Sequence, residues 1–211
     1  MSERALPPLI LKLGGSLAQG DHLRSWLRLA ADLADRFIVI VPGGGPFAEE
    51  VRKAQGTLGF GDGPAHRMAL LAMEQYAIAM AGMEPRLCMA SSPITIERAL
   101  IRKQAVAWRP SAMALGRPDL PESWELTSDS LACWLAEELC ARGLVLVKSA
   151  EPPGNDRSPQ ALAAAGYVDP AFPEFRKRYR GPVACIAASD HALAAAALGA
   201  GRDFGVPIGV A

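Results

Sequence analysis

The sequence predicts an α/β fold: a three-layer αβα sandwich around a mainly parallel central sheet. Three observations carry this. Short apolar runs without polar alternation, such as Phe37-Ile-Val-Ile-Val41 and Leu144-Val-Leu-Val147, are separated by longer stretches with helical spacing. Strands that are apolar on both faces belong to parallel sheets covered by helices on both sides. Half of the 211 residues are hydrophobic, and the length fits one good-sized domain spanning 1–211.

Leu9 to Leu13 reads as a short buried strand, broken by Gly14-Gly15-Ser16. Leu23, Trp26, Leu27, Ala30 and Leu33 recur at helical spacing and predict a helix over Asp21 to Arg36. Phe37 to Val41 is the second strand. Pro42-Gly43-Gly44-Gly45 interrupts it, and Pro46 suits the first turn of a helix running to about Gln55. After the glycine-rich stretch Gly56 to Gly63, the positions Met68, Leu71, Ala72, Gln75 and Ala79 mark a helix over Pro64 to Met83. Arg86 to Ala90 and Gln104 to Trp108 read as strands, and Arg109 to Trp124 as a loop or small hairpin. Ser128 to Arg142 is an amphipathic helix, with Thr127 or Ser128 as its cap and Gly143 as its stop. A strand at Leu144 to Val147, a turn at Glu151 to Pro159, a strand at Val183 to Ala187, a helix at Asp190 to Leu198 and a short strand near Val206 to Ile208 complete the chain. Glu151 to Arg180 is the most loop-like part, so residues 150–180 read as a lid or a variable segment.

Composition excludes several classes. The 22 Lys and Arg balance the 22 Asp and Glu, whereas nucleic-acid-coating proteins are strongly basic. The 20 glycines and 17 prolines stay below the roughly 25–30% of a low-complexity chain. No run of about 18 apolar residues reads as a membrane span. Met1 to Pro8 lacks the long apolar segment of a secretory leader. Cys88, Cys133, Cys140 and Cys185 form no CxxC pair and sit in apolar stretches, so reduced, buried thiols are expected, not a disulfide or zinc site. A cytoplasmic protein with no metal-ligand set of its own follows as the expectation.

The chemistry gathers at strand ends. Two glycine turns, Gly14-Gly15-Ser16 and Gly43-Gly44-Gly45, follow two apolar strands, at the sheet edge where ligands of open α/β folds bind. Glycine lets a backbone approach a phosphate, and free amides at helix N-termini bind anions. Lys12 stands in an otherwise apolar strand and needs either solvent or an anion. Neither turn is a P-loop or a GxGxxG fingerprint with its acidic partner. Asp129 opens the helix at Thr127-Ser128-Asp129-Ser130, and Lys148, followed by Ser149, ends the strand after that helix. Taken singly, these last two read as an ordinary cap and a solvated strand end.

Together, Lys12-Leu-Gly-Gly-Ser16, Val41-Pro-Gly-Gly-Gly-Pro46, Thr127-Ser-Asp129 and Leu146-Val-Lys148 occur in the order found in the amino acid kinase family, which the chain resembles from about Leu9 to Ser149. That family includes acetylglutamate, aspartate, carbamate, uridylate and isopentenyl phosphate kinases. The resemblance implies ATP with Mg2+ and a homodimer or higher oligomer. It also implies roles: Lys12 steadies the transferred phosphoryl group, Gly14, Gly15 and Ser16 touch the ATP phosphates, and Gly43, Gly44 and Gly45 face the acceptor with Ser128. Asp129 would organise the lysines, with Lys148 and Ser149 on the nucleotide side.

Ala65-His-Arg-Met-Ala-Leu-Leu-Ala-Met-Glu-Gln-Tyr76, Leu126-Thr-Ser-Asp-Ser-Leu131 and Trp134-Leu-Ala-Glu-Glu138 resemble the branch linked to methanofuran biosynthesis. Those kinases convert aminomethylfuran-methyl phosphate to the diphosphate in one-carbon metabolism. The expected partner is thus a small phosphorylated substrate, with His66 hydrogen-bonding it, and neither nucleic acid nor membrane. Alternatives are a kinase of an amino-acid carboxylate or a nucleoside monophosphate, or an inactive member that binds an oxyanion or nucleotide. Two departures bear on the last. The turn after Lys148 reads Ser-Ala-Glu-Pro-Pro-Gly154 instead of an Asp-Val-Asp-Gly-like segment, and the lysine that several relatives place after a Gly-Gly-Met turn has no counterpart. Arg176, Lys177, Arg178 and Arg180 form a basic cluster instead.

Overall fold

The computed structural model describes residues 6–210, so Met1 to Ala5 of the N-terminal stretch discussed above lie outside the described residues. Seven strands form one sheet in the order β3-β4-β2-β1-β5-β6-β7. They are β1 (Leu9–Leu13), β2 (Ile38–Pro42), β3 (Cys88–Ala90), β4 (Val106–Trp108), β5 (Gly143–Lys148), β6 (Val183–Ala187) and β7 (Val206–Pro207). All pairings are parallel except β6 with β7. Strand order reverses at β1, which pairs with β2 on one side and β5 on the other. A reversal of this kind opens a crevice at the carboxyl ends of the strands.

The helices are α1 (His22–Asp32), α2 (Gly45–Leu58), α3 (Asp62–Met83), α4 (Pro93–Ile101), α5 (Ser111–Ala114), α6 (Ser128–Glu138), α7 (Pro159–Ala164), α8 (Phe172–Arg178) and α9 (His191–Gly199). Side chains alternate across the sheet. Leu9, Leu11 and Leu13 pack with Trp26 and Leu27 of α1 on one face. Ile10, Leu144 and Leu146 pack with Leu131, Trp134 and Leu135 of α6 on the other. Two buried clusters on opposite faces make the three layers. Lys12 and Lys148 continue the second series by two residues each, so both point toward α6.

Several boundaries and three segments differ from the sequence reading, one of them the stretch 109–124, read as a loop or small hairpin, which holds the short helix α5. α1 stops at Asp32 and a short 3-10 turn follows, closed by Phe37 in left-handed conformation, so β2 starts one residue late. α2 runs on through Gly56 to Leu58, where left-handed Gly59 closes it. α6 ends at Glu138 instead of Arg142, and left-handed Cys140, not Gly143, turns the chain; Gly143 already belongs to β5. That turn leaves Cys140 exposed and Cys88 is only half-buried, so burial holds for Cys133 and Cys185 alone; all four thiols are free.

α4 is absent from the sequence reading. It is the crossover that parallel β3–β4 pairing requires, started by a capping box between Ser92 and Thr95. Residues 159–178 form two helices where the sequence looked loop-like. Leu162, Val168, Phe172, Phe175 and Tyr179 insert into the α6-side core. Arg176 of the basic cluster is buried there, its Nη1 donating to the Tyr179 carbonyl at 2.6 Å and its Nε to the Gly209 carbonyl at 3.2 Å. Only residues 150–157 of the segment remain largely exposed and without regular structure. Among the described residues, no helix is long and apolar enough to cross a membrane.

Candidate active site

The site begins with backbone contact between the two glycine turns. The Gly43 amide donates to the Leu13 carbonyl at 2.9 Å, extending the β1–β2 pairing into both turns. A methyl group on Gly15 would stand 2.7 Å from the Gly45 nitrogen, and one on Gly43 would collide with the Gly15 backbone. These glycines are therefore demanded by each other before any ligand arrives. Gly45 also holds φ +54°, a left-handed conformation natural to glycine, with the Tyr76 ring against it. Gly14 differs. A methyl there would meet only ordinary contacts and would lie 3.6 Å from Lys12 Nζ.

Beneath the turns lies a buried ion trio. Lys12 Nζ stands 2.9 Å from Asp129 Oδ1, and Lys148 Nζ donates to Asp129 Oδ2 at 2.7 Å. The Lys12 contact is a charge pair off the hydrogen-bonding direction, which leaves Oδ1 without a directed donor. Lys12 and Asp129 are each 4% exposed. Burial alone would raise the Asp129 pKa, but the two lysines outweigh it and hold the carboxyl at about 2. Lys148 is pulled below its ordinary value, first by burial and then by Lys12, against the opposing pull of Asp129. Lys12 and Lys148 thus share the Asp129 carboxylate directly, and Asp169 is the next negative group facing Lys148.

The next carboxylate, Asp169, is taken up by α6. Thr127 occupies the cap position, as the sequence indicated, but its hydroxyl makes no cap hydrogen bond. It donates instead to Asp169 Oδ2 at 2.8 Å, alongside the amides of Thr127 at 3.1 Å and Ser130 at 3.0 Å. Cap duty has passed to a residue about forty positions away.

Beside the turns opens a cleft of about 310 Å³. Gly44 and the α2 residues Gly45, Ala48, Glu49 and Arg52 form one wall, His66, Ala69, Leu70 and Met73 of α3 the floor, and Ser123, Trp124, Leu126, Thr127 and Ser128 the opposite rim. The N-termini of α2 and α6 both open onto it, an arrangement suited to an anion. The Arg52 guanidinium lies 4.4 Å from the centroid of the Trp124 ring, whose Nε1 donates to Gln55 Oε1 at 2.6 Å. His66 is 5% exposed, and burial lowers its pKa against the opposing pull of Glu122, so the imidazole is neutral at pH 7.

The structure thus brings Lys12, Gly14, Asp129 and Lys148 together, and gathers Gly44, Gly45, His66 and Ser128 at the cleft. Gly15 and Ser16 also line the cleft, as the boundary between both sides. Gly43 lies buried under Gly15, and Ser149 is exposed beyond Lys148. Arg52, Trp124 and Asp169 were not singled out from the sequence. Arg52 and Trp124 sit at separate, unpatterned positions, and Asp169 is linked to α6 only through tertiary contact.

Lysines sharing one carboxylate beneath glycine turns, beside a cleft onto which two helix N-termini open, are an arrangement suited to phosphoryl transfer on an α/β sheet. The chain belongs to the amino acid kinase family, whose model it matches over residues 7–151, and it is a kinase. It is 26% identical over 181 residues to the [5-(aminomethyl)furan-3-yl]methyl phosphate kinase of Methanocaldococcus jannaschii, covering 81% of this chain and 83% of that protein. Its fold resembles uridylate kinase from Archaeoglobus fulgidus, with TM-score 0.70, 19% identity and coverage of 96% of this chain and 100% of that one. It also resembles UMP kinase from Bacillus anthracis, with TM-score 0.65, 15% identity and coverage of 97% and 96%.

Proposed function

We infer that the protein transfers the γ-phosphoryl group of ATP to a small phosphorylated acceptor. The acceptor best supported is [5-(aminomethyl)furan-3-yl]methyl phosphate, giving the diphosphate. The observation that carries the phosphoryl-transfer reading is the pair of lysines, Lys12 and Lys148, held on Asp129 beneath the glycine turns. The furan-phosphate acceptor draws support from the relative that matches along four-fifths of the chain.

An acceptor phosphate oxygen attacks the γ-phosphorus as the bond to ADP breaks. That oxygen is already ionised near neutral pH, so no catalytic base is needed. Such transfer rests on positioning and charge stabilisation. Lys12 neutralises the equatorial oxygens of the moving group, and Lys148 and the amide of Gly15 hold the nucleotide phosphates, with Ser149 next to them; the Gly14 amide is already given to the Val147 carbonyl and fixes the turn. The α2 and α6 N-termini, Gly44, Gly45, Ser128 and His66 hold the acceptor in line. Mg2+, where present, offsets phosphate charge. Among the described residues no group of three His, Cys, Asp or Glu side chains converges to hold a metal ion, so the ion would enter on the nucleotide. Residues 150–157 are the part of the nucleotide side free to cover it.

A nucleoside monophosphate acceptor is the second reading, favoured by the structural likeness to UMP kinases. Incubation with ATP, Mg2+ and each acceptor, with products identified by mass spectrometry, separates the two. The furan diphosphate is the expected product. UDP in its place moves the assignment to the second reading, and absence of ATP binding by calorimetry rejects both.

A further inference from the structure

The short stretch Tyr167-Val168-Asp169, between α7 and α8, holds two members of the ion trio from outside it. The Tyr167 carbonyl accepts a hydrogen bond from Lys148 Nζ at 2.6 Å. Two residues on, Asp169 is 7% exposed and receives four donors. Oδ2 accepts from Thr127 N, Thr127 Oγ1 and Ser130 N at 3.1, 2.8 and 3.0 Å, and Oδ1 accepts from Ser130 Oγ. These donors bracket Asp129 on both sides in the first turn of α6. Val168 anchors the stretch in the core, and the Ala171 amide donates to the Glu125 carbonyl at 3.1 Å, tying it to the segment that enters α6.

A helix start usually carries its own cap, and Thr127 stands in the right place to supply it. Its hydroxyl turns to Asp169 instead, so the orientation of the α6 first turn is fixed by a residue across the fold. Burial and the nearby Asp129 charge raise the Asp169 pKa above its ordinary value, and the donors from Ser130 and Thr127 oppose that rise; two of the four are amides, which cannot accept a proton and so support the ionised carboxylate. The same stretch therefore sets the backbone carrying Asp129 and the ammonium of Lys148.

We propose that Asp169 is a positioning residue for phosphoryl transfer: by clamping Thr127 and Ser130, in register with the Tyr167 carbonyl on Lys148, it sets where Asp129 and Lys148 meet. This rests on the reading of the trio as the transfer centre. Charges facing Lys148 come from Lys12 on β1, Asp129 on α6 and Asp169, and the Tyr167 ring lies 5.2 Å away. Asp169 raises the Lys148 pKa, against burial and Lys12. Loss of its charge thus lowers the Lys148 pKa further.

The test compares Asp169→Asn, Ser130→Ala and Lys12→Ala in the full chain. Turnover is measured with ATP and Mg2+ against [5-(aminomethyl)furan-3-yl]methyl phosphate and, in parallel, UMP. The pH midpoint of Lys148 acetylation is read by mass spectrometry on the ligand-free protein. Asp169→Asn should lower kcat by at least about tenfold, leave both KM values within about twofold, and move the Lys148 midpoint to lower pH. Ser130→Ala should lower kcat in the same direction by less, and it keeps the test open if Asp169→Asn fails to fold. An unmoved Lys148 midpoint, or a kcat unchanged in both variants, overturns the proposal. Full activity in Lys12→Ala overturns the reading of the trio instead.

Discussion

The ion trio and the acceptor cleft share the glycine turns as a common wall, yet they are built in opposite ways. Lys12, Asp129 and Lys148 sit at the ends of regular elements, buried and fixed by charge. The cleft is walled by helix surfaces and by the irregular stretch around Trp124, with Arg52 exposed on its rim. On the proposed function, the difference separates chemistry from choice of substrate. A transition state's charge is best met by groups that cannot move, whereas an acceptor is recognised by side chains that can vary without disturbing the sheet.

Removing the fixed cation tests that division most strongly. Lys12→Ala should lower kcat by about 10²–10³-fold, the loss typical of one preorganised donor. KM for the acceptor should stay nearly constant, because Lys12 does not line the cleft. Steady-state kinetics with both substrates varied checks this; a loss confined to acceptor KM would dissolve the division.

Asp129→Asn comes next. Turnover should fall by about tenfold to a hundredfold as the lysines lose their common partner. Two buried ammonium groups are also left uncompensated, which costs roughly 3–5 kcal/mol when one partner of a buried pair is removed. The pH dependence has a definite sign. The folded pKa of about 2 lies below the ordinary 3.8, so this carboxylate's stabilisation is full above about pH 4 and is lost as pH falls toward 2. Urea unfolding between pH 2 and 5 should show a steeper acid loss in the native protein than in Asp129→Asn.

The same division explains what the sequence revealed. Lys12 and Lys148 were legible because a lysine in or after an apolar strand, beside a turn, has few explanations; that both point to one face follows from the β1–β5 register. Gly15 and Gly43 were legible as turns, but their contact with each other depends on β1–β2 register, which no local pattern encodes. α4 was missed because its cap, Ser92 with Thr95, is a Ser/Thr pair instead of the familiar Ser–Glu box. α7 and α8 were missed because they are short and bury their apolar residues against α6 instead of showing a periodic stripe of their own. Trp124 and Arg52 meet only after the chain has folded.

Substitutions at the rim should behave differently from those at the trio. Trp124→Ala removes the ring under Arg52 and the partner of Gln55. The cation–π contact of an exposed arginine, about 0.5–1 kcal/mol, lost together with the Gln55 hydrogen bond, implies a rise in acceptor KM of roughly fivefold. Arg52→Ala should raise KM to a similar degree, and the double variant should be less than additive because the residues touch. ATP KM should hold in all three, as titration of each substrate at saturating partner would show.

His66 carries the smallest expected effect and probes the boundary between the two regions. Its side chain is buried at the floor of the cleft, and burial holds the imidazole below its usual pKa of 6.5. A neutral ring at pH 7 offers the acceptor a hydrogen bond, not a charge. His66→Gln should therefore raise acceptor KM by only about threefold, the scale of one net hydrogen bond, with kcat almost unchanged. Because the folded pKa is depressed, the unfolded chain binds this proton more readily. Stability is full above about pH 6.5 and declines as pH drops through the interval below it. Replacing the ring with an amide removes that interval, so melting temperatures of the two proteins should diverge at pH 7 and approach each other near pH 5. A constant difference across the range would mean that the ring is charged or solvated in the folded protein, and the floor of the cleft would then belong with the ionic region instead of with the rim.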